Sequence, residues 1–482
     1  MTTLSRRIRD PRQWAVPTLV AGVLLAAFSL GSHASVRWVV FLLAGIAAAG
    51  LLRWPALGPP LLVAAALVVP LEITTGTEVK LNPATLLIPV LLLVWLWSAV
   101  LTRSARLAES RATLPIFLFL LSGLLSLLVG TATWDIAVPR PGNFLIVQLA
   151  QWGIFALSAG AFWLTANLVK DEGWLWRLTA LFLLLAGGAA ILLRLPGVGG
   201  LLARFTTIAF SRAPLWVLFA ALVGGQLLFN RTLSLAWRLF LVATLGATLV
   251  YVFVEHRESA SNWVGVAAVL GTLAWLRFRR LHWPLLALIL ALVVAGVLFP
   301  AVYNFAGGDS EWNVSGGSRL VLIQRVIEAT MRNPITGLGP AAYRPYTGLI
   351  PLPYQHAYWL APQINSHNNY VDLFAHVGVV GLVLFFWFAA EIALLGMRLR
   401  RRYAQGFVSG YVNGVLAAGA GALVIMMLAD WILPFVYNIG FPGFQASVLV
   451  WLFMGGLVAL DNMSMQKVAA SEVGASEVGA SG

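Results

Sequence analysis

The sequence predicts an all-α polytopic membrane protein with about fourteen transmembrane helices. Of its 482 residues, 60% are hydrophobic and only 10% are charged, and the mean hydropathy is +0.87. A soluble domain of this composition would have too little polar surface to face water. Apolar runs of membrane length recur along the chain, and helices are the elements that satisfy their own backbone hydrogen bonds inside a bilayer.

Fourteen segments have the roughly 17 to 25 mostly apolar residues that a spanning helix needs. They are residues 14–31, 36–52, 57–73, 83–101, 114–130, 144–168, 174–193, 214–229, 238–254, 262–276, 283–300, 371–397, 407–429 and 441–460. The third, eighth and tenth are short or interrupted by Pro and Gly, so re-entrant or tilted segments remain an alternative, with 12–14 spans in total. The first resembles a signal-peptide core, but the many spans after it favour an uncleaved helix.

The distribution of basic residues predicts the orientation of these helices. The net charge is +13, but the arginines form short clusters between apolar runs, which is typical of membrane topology and not of a nucleic-acid groove. A cytoplasmic N-terminus places most of the 31 lysines and arginines on inner loops, and both termini are then cytoplasmic. The chain has no cysteine, so disulfide and thiol chemistry are excluded.

This topology divides the chain into four regions. Residues 1–300 hold helices 1–11 with short loops, 301–370 form a large outer loop, 371–460 hold helices 12–14, and 461–482 form a disordered cytoplasmic tail. In the outer loop, apolar residues recur at helical spacing between Ser318 and Pro334, which predicts an amphipathic helix at the membrane surface. The Pro- and aromatic-rich segment that follows is predicted to be irregular.

Arginines collect on the predicted outer side against the general trend. A guanidinium group presents a fork of donors that matches phosphate oxygens, and it keeps its charge at any relevant pH. These arginines are therefore candidates to bind a diphosphate, and the alternative is that some contact lipid headgroups or pair with nearby glutamates. The candidates are Arg204, Arg212, Arg257, Arg319 and Arg344.

A cluster of polar residues marks the start of the twelfth helix, in the stretch INSHNNYVDLFAHVGVVG from Ile364 to Gly381. A neutral imidazole can take a proton from a sugar hydroxyl near physiological pH, so His367 is a candidate general base. Asn368, Asn369 and Tyr370 would shape the site around it. The alternative is a polar helix cap, because Asn and Ser satisfy the free amides of a helix N-terminus.

One histidine beside a set of arginines suits a transfer reaction in which a diphosphate leaves. The cations would stabilise the charge that develops on the diphosphate while the base activates the acceptor. The predicted outer carboxylates are scattered and no His/Asp cluster has ligand spacing, so the sequence favours a reaction without a metal or other cofactor. Gly410 and Gly414 form a small-residue face on the thirteenth helix that is typical of helix packing.

These segments together resemble the bacterial O-antigen ligase and polymerase superfamily of membrane glycosyltransferases. In the ligases, His and Asn/Ser/Gln are followed after nine residues by Gly-X-X-Gly-Thr-Arg. Here His367 and Asn368 are followed at that spacing by Gly378-Val-Val-Gly381, with Leu382-Val383 in place of Thr-Arg. Upstream, Pro334, Gly337 and Gly339 match the family's turn after its surface helix. The likeness covers roughly residues 200 to 385.

The resemblance implies a GT-C-like fold in the bacterial cytoplasmic membrane, with the active site facing the periplasm or exterior. The donor would be an undecaprenyl-diphosphate-linked oligosaccharide, and His367 the base. Arg204 and Arg257 would contact the diphosphate, and Gly337 and Gly339 would shape the site. The acceptor remains open between the growing glycan, lipid A core and a protein hydroxyl, so polymerase, ligase and protein O-oligosaccharyltransferase are all alternatives.

A transporter or flippase of lipid-linked glycan or of another anionic solute is the alternative from a different class. Such proteins place polar groups near the bilayer midplane on broken helices in repeated halves. In this sequence the polar and cationic groups gather in loops at one face, and no internal repeat is evident. That distribution favours a transferase.

Overall fold

The computed structural model describes residues 50–74, 80–101, 107–294, 317–354, 357–360 and 362–480, which are 75% helical with almost no sheet. The helices are α1 (Gly58–Val68), α2 (Pro83–Leu101), α3 (Thr113–Ala132), α4 (Phe144–Leu168), α5 (Glu172–Leu192), α6 (Val198–Leu202), α7 (Ala213–Phe229), α8 (Leu235–Val250), α9 (Ala260–Arg277), α10 (His282–Val294), α11 (Gly317–Thr330), α12 (Tyr343–Thr347), α13 (Asn369–Arg402), α14 (Gly406–Ile425) and α15 (Gly440–Ala480).

Shorter elements connect these helices. Single turns of 3₁₀-helix lie at Pro55–Leu57, Ala203–Phe205, Ile208–Ser211 and Arg279–Leu281, and α8 ends in a π-helical turn at Tyr251–Glu255. Two small antiparallel hairpins pair β1 (Ile73–Thr74) with β2 (Lys80–Leu81), and β3 (Leu352–Tyr354) with β4 (Ala357–Trp359).

Eight of the described helices are long and apolar enough to cross a membrane, which confirms the all-α polytopic membrane class. They are Pro83–Val100, Thr113–Ala132, Phe144–Leu168, Glu172–Leu192, Leu235–Glu255, Asn369–Arg402, Gly406–Ile425 and Gly440–Lys467. The third and eighth predicted segments are shorter apolar helices, Pro55–Val68 and Ala213–Phe229. Almost all of the first two segments lies outside the described residues, so the count of about fourteen stays a prediction.

Helix α7 lies at the centre of the bundle and is buried on every side. All of its residues from Ala213 to Gln226 are buried, and it packs against α9 and α14. A Cβ atom added to Gly225 would lie 2.4 Å from the carbonyl oxygen of Gly410 and 2.8 Å from the Cα of Gly414. The small-residue face predicted on α14 is therefore a helix-packing face, because only glycine allows the two backbones to approach this closely.

Helix α13 is broken at Gly378, and the turn that follows α11 enters the break. Gly378 has φ 66° and ψ −170°, a conformation that is essentially restricted to glycine. The N–H groups of Val379 and Val380 donate to the carbonyl oxygens of Pro334 and Ile335, and Leu338 N–H donates to Ala375 O at 2.8 Å. The turn around Gly337 and Gly339 is thereby fixed against α13 on both sides of the break.

Substituting Gly378 by Ala is expected to destabilise the protein. The backbone conformation alone would cost an alanine about 1–3 kcal/mol, and its Cβ would lie 2.1 Å from Ile335 O. A thermal-shift measurement in detergent should show a clear fall in melting temperature. Gly271→Ala is the matched control, because a Cβ on Gly271 meets nothing within 4 Å. Equal melting temperatures of the two variants would contradict this account of the break.

The predicted surface helix is present as α11, where Val326 and Thr330 are buried while Leu320 and Ile327 are exposed. The segment after it is more regular than predicted, with the one-turn helix α12 and the hairpin β3–β4. Alternating Pro and aromatic residues suit a short edge hairpin as well as a loop, so composition alone did not reveal it.

The disordered cytoplasmic tail at residues 461–482 stays a prediction. The structure continues α15 as a helix to Ala480, across residues 461–480 for which the low-complexity sequence predicted disorder. The Ala and Glu residues of this segment have high helix propensity, so the helix can extend from the buried span that precedes it.

Candidate functional site

His367 lies just before the cap residue of α13, in a strained backbone conformation. Its φ of 50° lies in the left-handed region, which few residues other than glycine adopt and which is frequent at functional sites. The helix cap is the next residue, because the Asn368 side chain accepts hydrogen bonds from the N–H groups of Tyr370 and Val371. The imidazole of His367 is therefore not occupied in capping the helix.

The three residues after His367 fasten the start of α13 to the end of α14 and to the loop between α14 and α15. Asn368 Nδ2 donates to Met427 O at 3.0 Å, and the Tyr370 hydroxyl donates to Leu423 O at 2.7 Å. The buried amide of Asn369 donates to Leu433 O at 2.8 Å and accepts from Ile432 N–H at 2.9 Å. These bonds hold α14 and that loop next to the start of α13, and a role of the three residues in shaping the site stays a prediction.

The same loop supplies two polar residues that face His367, Asp430 and Asn438. Asn438 Nδ2 lies 3.2 Å from His367 Nδ1 and 2.5 Å from Asp430 Oδ1. Phe435 N–H donates to Asp430 Oδ2 at 2.7 Å, and Asp430 is fully buried. Burial raises the pKa of Asp430, and the hydrogen bonds that it accepts oppose that rise. His367, Asn438 and Asp430 thus form one hydrogen-bonded chain.

This chain links the tautomer of His367 to the ionisation of Asp430. An amide nitrogen only donates, so Asn438 Nδ2 can bond to both partners when Asp430 is ionised and His367 Nδ1 carries no proton. Neutral His367 then holds its proton on Nε2. If Asp430 is protonated, Asn438 can turn its amide oxygen toward both groups, and His367 then carries its proton on Nδ1 and leaves Nε2 free.

The environment of His367 favours the neutral imidazole. Burial and the positive charge of Arg319 lower the pKa of His367 from 6.5 to about 4. The imidazole is therefore uncharged across the physiological range, as a general base must be before it accepts a proton.

Substituting Arg319 by Gln is expected to move the acid limb of the pH–activity profile upward. Protonated His367 cannot act as a base, so kcat/KM of the wild type should fall only as the pH approaches about 4. Without the neighbouring cation the pKa of His367 should rise, although burial, the larger cause, still keeps it below 6.5, and the limb should follow. Arg325→Gln, on the same helix but bonded to Ile350 O, should leave the limb in place. Identical profiles for both variants would contradict the coupling.

Three of the five candidate arginines converge on this loop. Arg319 Nη1 donates to Leu428 O at 2.9 Å. The Arg344 guanidinium lies 4.2 Å from the ring centroid of Tyr437 and donates to Gln363. The Arg212 guanidinium lies 5.9 Å from the ring centroid of Trp431. Burial lowers the pKa of Arg212, and the nearby charge of Asp430 raises it. The structure therefore brings Arg212, Arg319 and Arg344 together around the His367 chain.

None of the described contacts joins Arg204 or Arg257 to this group. Arg204 is exposed in the 3₁₀ turn after α6, and Arg257 is exposed after the π-helical turn of α8, where its carbonyl oxygen accepts from Trp263 Nε1. The nearby Arg194 is paired with Glu255 at 2.9 Å. A diphosphate contact of Arg204 and Arg257 stays a prediction.

A second buried network supports the site from behind. The Tyr343 hydroxyl and Ser366 Oγ both donate to Asp372 Oδ1, at 2.8 and 2.7 Å. Burial, followed by the proximity of Asp372, raises the pKa of Tyr343 well above its usual value. The Tyr343 ring stacks on His376, whose Nδ1 accepts from Ala341 N–H at 3.2 Å. Because Ser366 precedes His367, this network fixes the backbone that presents the imidazole.

Sequence patterns singled out His367 but not its partners. Asn438 is 71 residues downstream in the chain, and Asp430 was one of several scattered outer carboxylates. The sequence feature that could have pointed to Asp430 and Asn438 was their position in the polar loop between the last two predicted spans. Among the residues that the structure describes, no three His, Cys, Asp or Glu side chains lie close enough together to hold a metal ion.

The fold and the site define a polytopic helical membrane protein in which a histidine and several arginines gather at one end of the bundle. A family model described as O-antigen ligase matches residues 245–386, a stretch that includes Arg257, Arg319, Arg344 and His367. This match supports the resemblance to the O-antigen ligase and polymerase superfamily. None of the curated proteins compared with the chain matches it.

Proposed function

We propose that the protein transfers a glycan from an undecaprenyl-diphosphate-linked oligosaccharide to an acceptor hydroxyl, without a metal, at the outer face of the bacterial cytoplasmic membrane. The observation that carries this proposal is the convergence of Arg212, Arg319 and Arg344 on the loop that contacts His367. The family match supports glycan transfer of the O-antigen ligase or polymerase type.

His367 acts as the general base in this proposal. The acceptor oxygen attacks the anomeric carbon, the bond from that carbon to the diphosphate oxygen breaks, and the diphosphate leaves with the electron pair. The hydroxyl proton passes to Nε2, so the active tautomer carries its other proton on Nδ1 and donates it to the turned amide of Asn438. Asp430 and Asn438 are then the groups that set the tautomer.

The arginines would bind the diphosphate and so couple donor binding to the base. Each guanidinium offers several donors to phosphate oxygens and stabilises the charge that develops as the bond breaks. The positive charge of Arg319 helps to lower the pKa of His367. A bound diphosphate would offset that charge. Donor binding therefore raises the basicity of His367 at the step in which a base is needed.

An apolar crevice beside the site suits the hydrocarbon chain of the donor. A cavity of about 180 Å³ runs between α13, α14 and α15, where Gly419 and Ala420 leave room. It extends along α13 from Phe385 to Ala393, roughly 12 Å of helix. Met426, at the end of α14, also lines the cavity. Its carbonyl oxygen accepts a hydrogen bond from the N–H of Asn369, two residues after His367. A lipid chain in this crevice would place its diphosphate beside the arginines.

The test uses the purified full-length protein in nanodiscs with an undecaprenyl-diphosphate-linked oligosaccharide. Release of undecaprenyl diphosphate and glycan length on a gel are followed without an acceptor, and then with lipid A core or an acceptor protein. A ladder with donor alone identifies a polymerase, and product only with an added acceptor identifies a ligase or a protein O-oligosaccharyltransferase. No release of undecaprenyl diphosphate under any of these conditions would contradict the proposal.

A further inference from the structure

A polar pocket lies beside the site, between the end of α3 and the end of α11. Its volume is about 260 Å³. The polar and aromatic residues that line this Asp135 pocket are Thr133, Asp135, Arg332, Asn333 and Tyr346. We propose that the Asp135 pocket binds a sugar ring of the glycan substrate, away from the bond that reacts. This inference rests on the proposed function for the source of the glycan.

The polar groups of the pocket are held in place and keep hydrogen-bonding capacity to spare. Asp135 Oδ2 accepts from Arg332 Nη1 at 3.0 Å, and Asp135 Oδ1 accepts from Ala137 N–H at 2.9 Å. Asn333 Oδ1 accepts from Thr336, while its Nδ2 donates to none of the described residues. Fixed planar amide, carboxylate and guanidinium groups can each bond two neighbouring hydroxyls, which is the pattern that a sugar ring presents.

An aromatic surface completes this pattern. The Tyr346 ring packs at 4.8 Å from the ring of Trp134, and Arg332 lies 5.1 Å over the Tyr346 ring. The Tyr346 hydroxyl accepts from Asp135 N–H at 3.1 Å, so its own proton remains available to a ligand. The ring is therefore fixed between Trp134 and Arg332, and its hydroxyl is a positioned donor for a sugar hydroxyl.

The ion pair in the pocket has little structural role of its own. The side chains of Arg332 and Asp135 are 47% and 43% exposed. Exposed pairs of this kind contribute about 0–1 kcal/mol to stability. The arrangement therefore matters more for a ligand that enters the pocket than for the fold.

The pocket is rigidly connected to His367. Leu338, in the turn that enters the break in α13, also lines the pocket. Tyr346 lies three residues after Tyr343 in α12, a spacing of about 5–6 Å between Cβ atoms on one helix face. Ser366 N–H donates to the Tyr343 hydroxyl at 3.4 Å. Helix α12 thus carries both a residue that lines the pocket and a residue that contacts the segment before His367.

The first experiment measures binding of free oligosaccharides to the protein in nanodiscs by saturation-transfer NMR. The probes are oligosaccharides of one to four hexose, deoxyhexose or N-acetylhexosamine units. At least one should bind to the wild type, and Asn333→Ala and Tyr346→Phe should each weaken it about tenfold. Gln324→Ala, a matched amide substitution on the exposed side of α11, should bind as the wild type does. Failure of every probe to bind, or an equal loss in Gln324→Ala, would overturn the inference.

The second experiment identifies the source of the sugar from transfer kinetics. A rise of about tenfold in KM for the undecaprenyl-diphosphate-linked oligosaccharide assigns the pocket to the donor glycan, and the same rise for the acceptor assigns it to the acceptor glycan. Oligosaccharide binding without any transfer would leave the Asp135 pocket established and reject the proposed function. If the variants transfer glycan with both KM values and oligosaccharide binding unchanged, the glycan-binding role of the Asp135 pocket is rejected and the proposed function stands.

Discussion

The His367→Ala variant is expected to lose transfer activity by a factor of about 10²–10⁴, the contribution typical of a general base. The loss should appear in kcat, because the arginines that would hold the donor are untouched. Folding should be unaffected, since the helix cap is Asn368 and the imidazole makes a single described hydrogen bond, to Asn438. The measurements are release of undecaprenyl diphosphate and the melting temperature of each variant.

His256→Ala is the matched control for this substitution. His256 lies at the same end of the bundle, is partly exposed and pairs with Glu258 at 3.3 Å. Its removal should change neither activity nor melting temperature. Near-normal turnover of His367→Ala would exclude the base assignment, whatever the control shows.

The Asn438→Leu variant is expected to be the next most severe, with kcat lowered about a hundredfold. Leucine has nearly the shape of asparagine, but it removes the bond to His367 Nδ1 and one of the bonds that Asp430 accepts. The imidazole then loses the partner that sets its tautomer, a role that is usually costly to remove. Activity measured across a range of pH should show an altered profile as well as a lower maximum.

The donor binding of Asn438→Leu provides the check on this interpretation. Because Asn438 is not among the candidate diphosphate ligands, the variant should bind undecaprenyl diphosphate as tightly as the wild type. Asn143→Leu, which changes another asparagine before a spanning helix and whose side chain makes no cap bond, is the matched control. A wild-type pH profile with reduced donor affinity in Asn438→Leu would assign the residue to binding instead.

The class of fold could be predicted because it depends on composition. Apolar runs of membrane length are visible in any window, and most of the predicted spans correspond to helices in the described residues. The helix count is harder, because α7 has only 17 residues and is enclosed by protein. A helix shielded in this way need not match the bilayer thickness, so length alone cannot classify it.

The candidate site was only partly predictable, for a geometric reason. His367 could be recognised because it lies in a cluster of polar residues at the start of a spanning helix. Gly337 and Gly378 could be recognised because they belong to the motifs that resemble the family. Which arginines converge on His367 depends on how separate loops fold together. Sequence spacing therefore could not separate Arg319, which contacts the loop carrying Asp430, from Arg204, which makes no described contact there.

The place of Asp430 and Asn438 in the last loop has a consequence for biosynthesis. Chains are made from the N-terminus onward, and the bonds from Asn369 to Ile432 and Leu433 form only after the loop between α14 and α15 has been synthesised. A nascent chain that has inserted α13 but not α15 therefore has His367 without its partners. Under the proposed function, catalytic competence would be acquired only once this loop has been synthesised, and shorter nascent chains would not consume lipid-linked glycan.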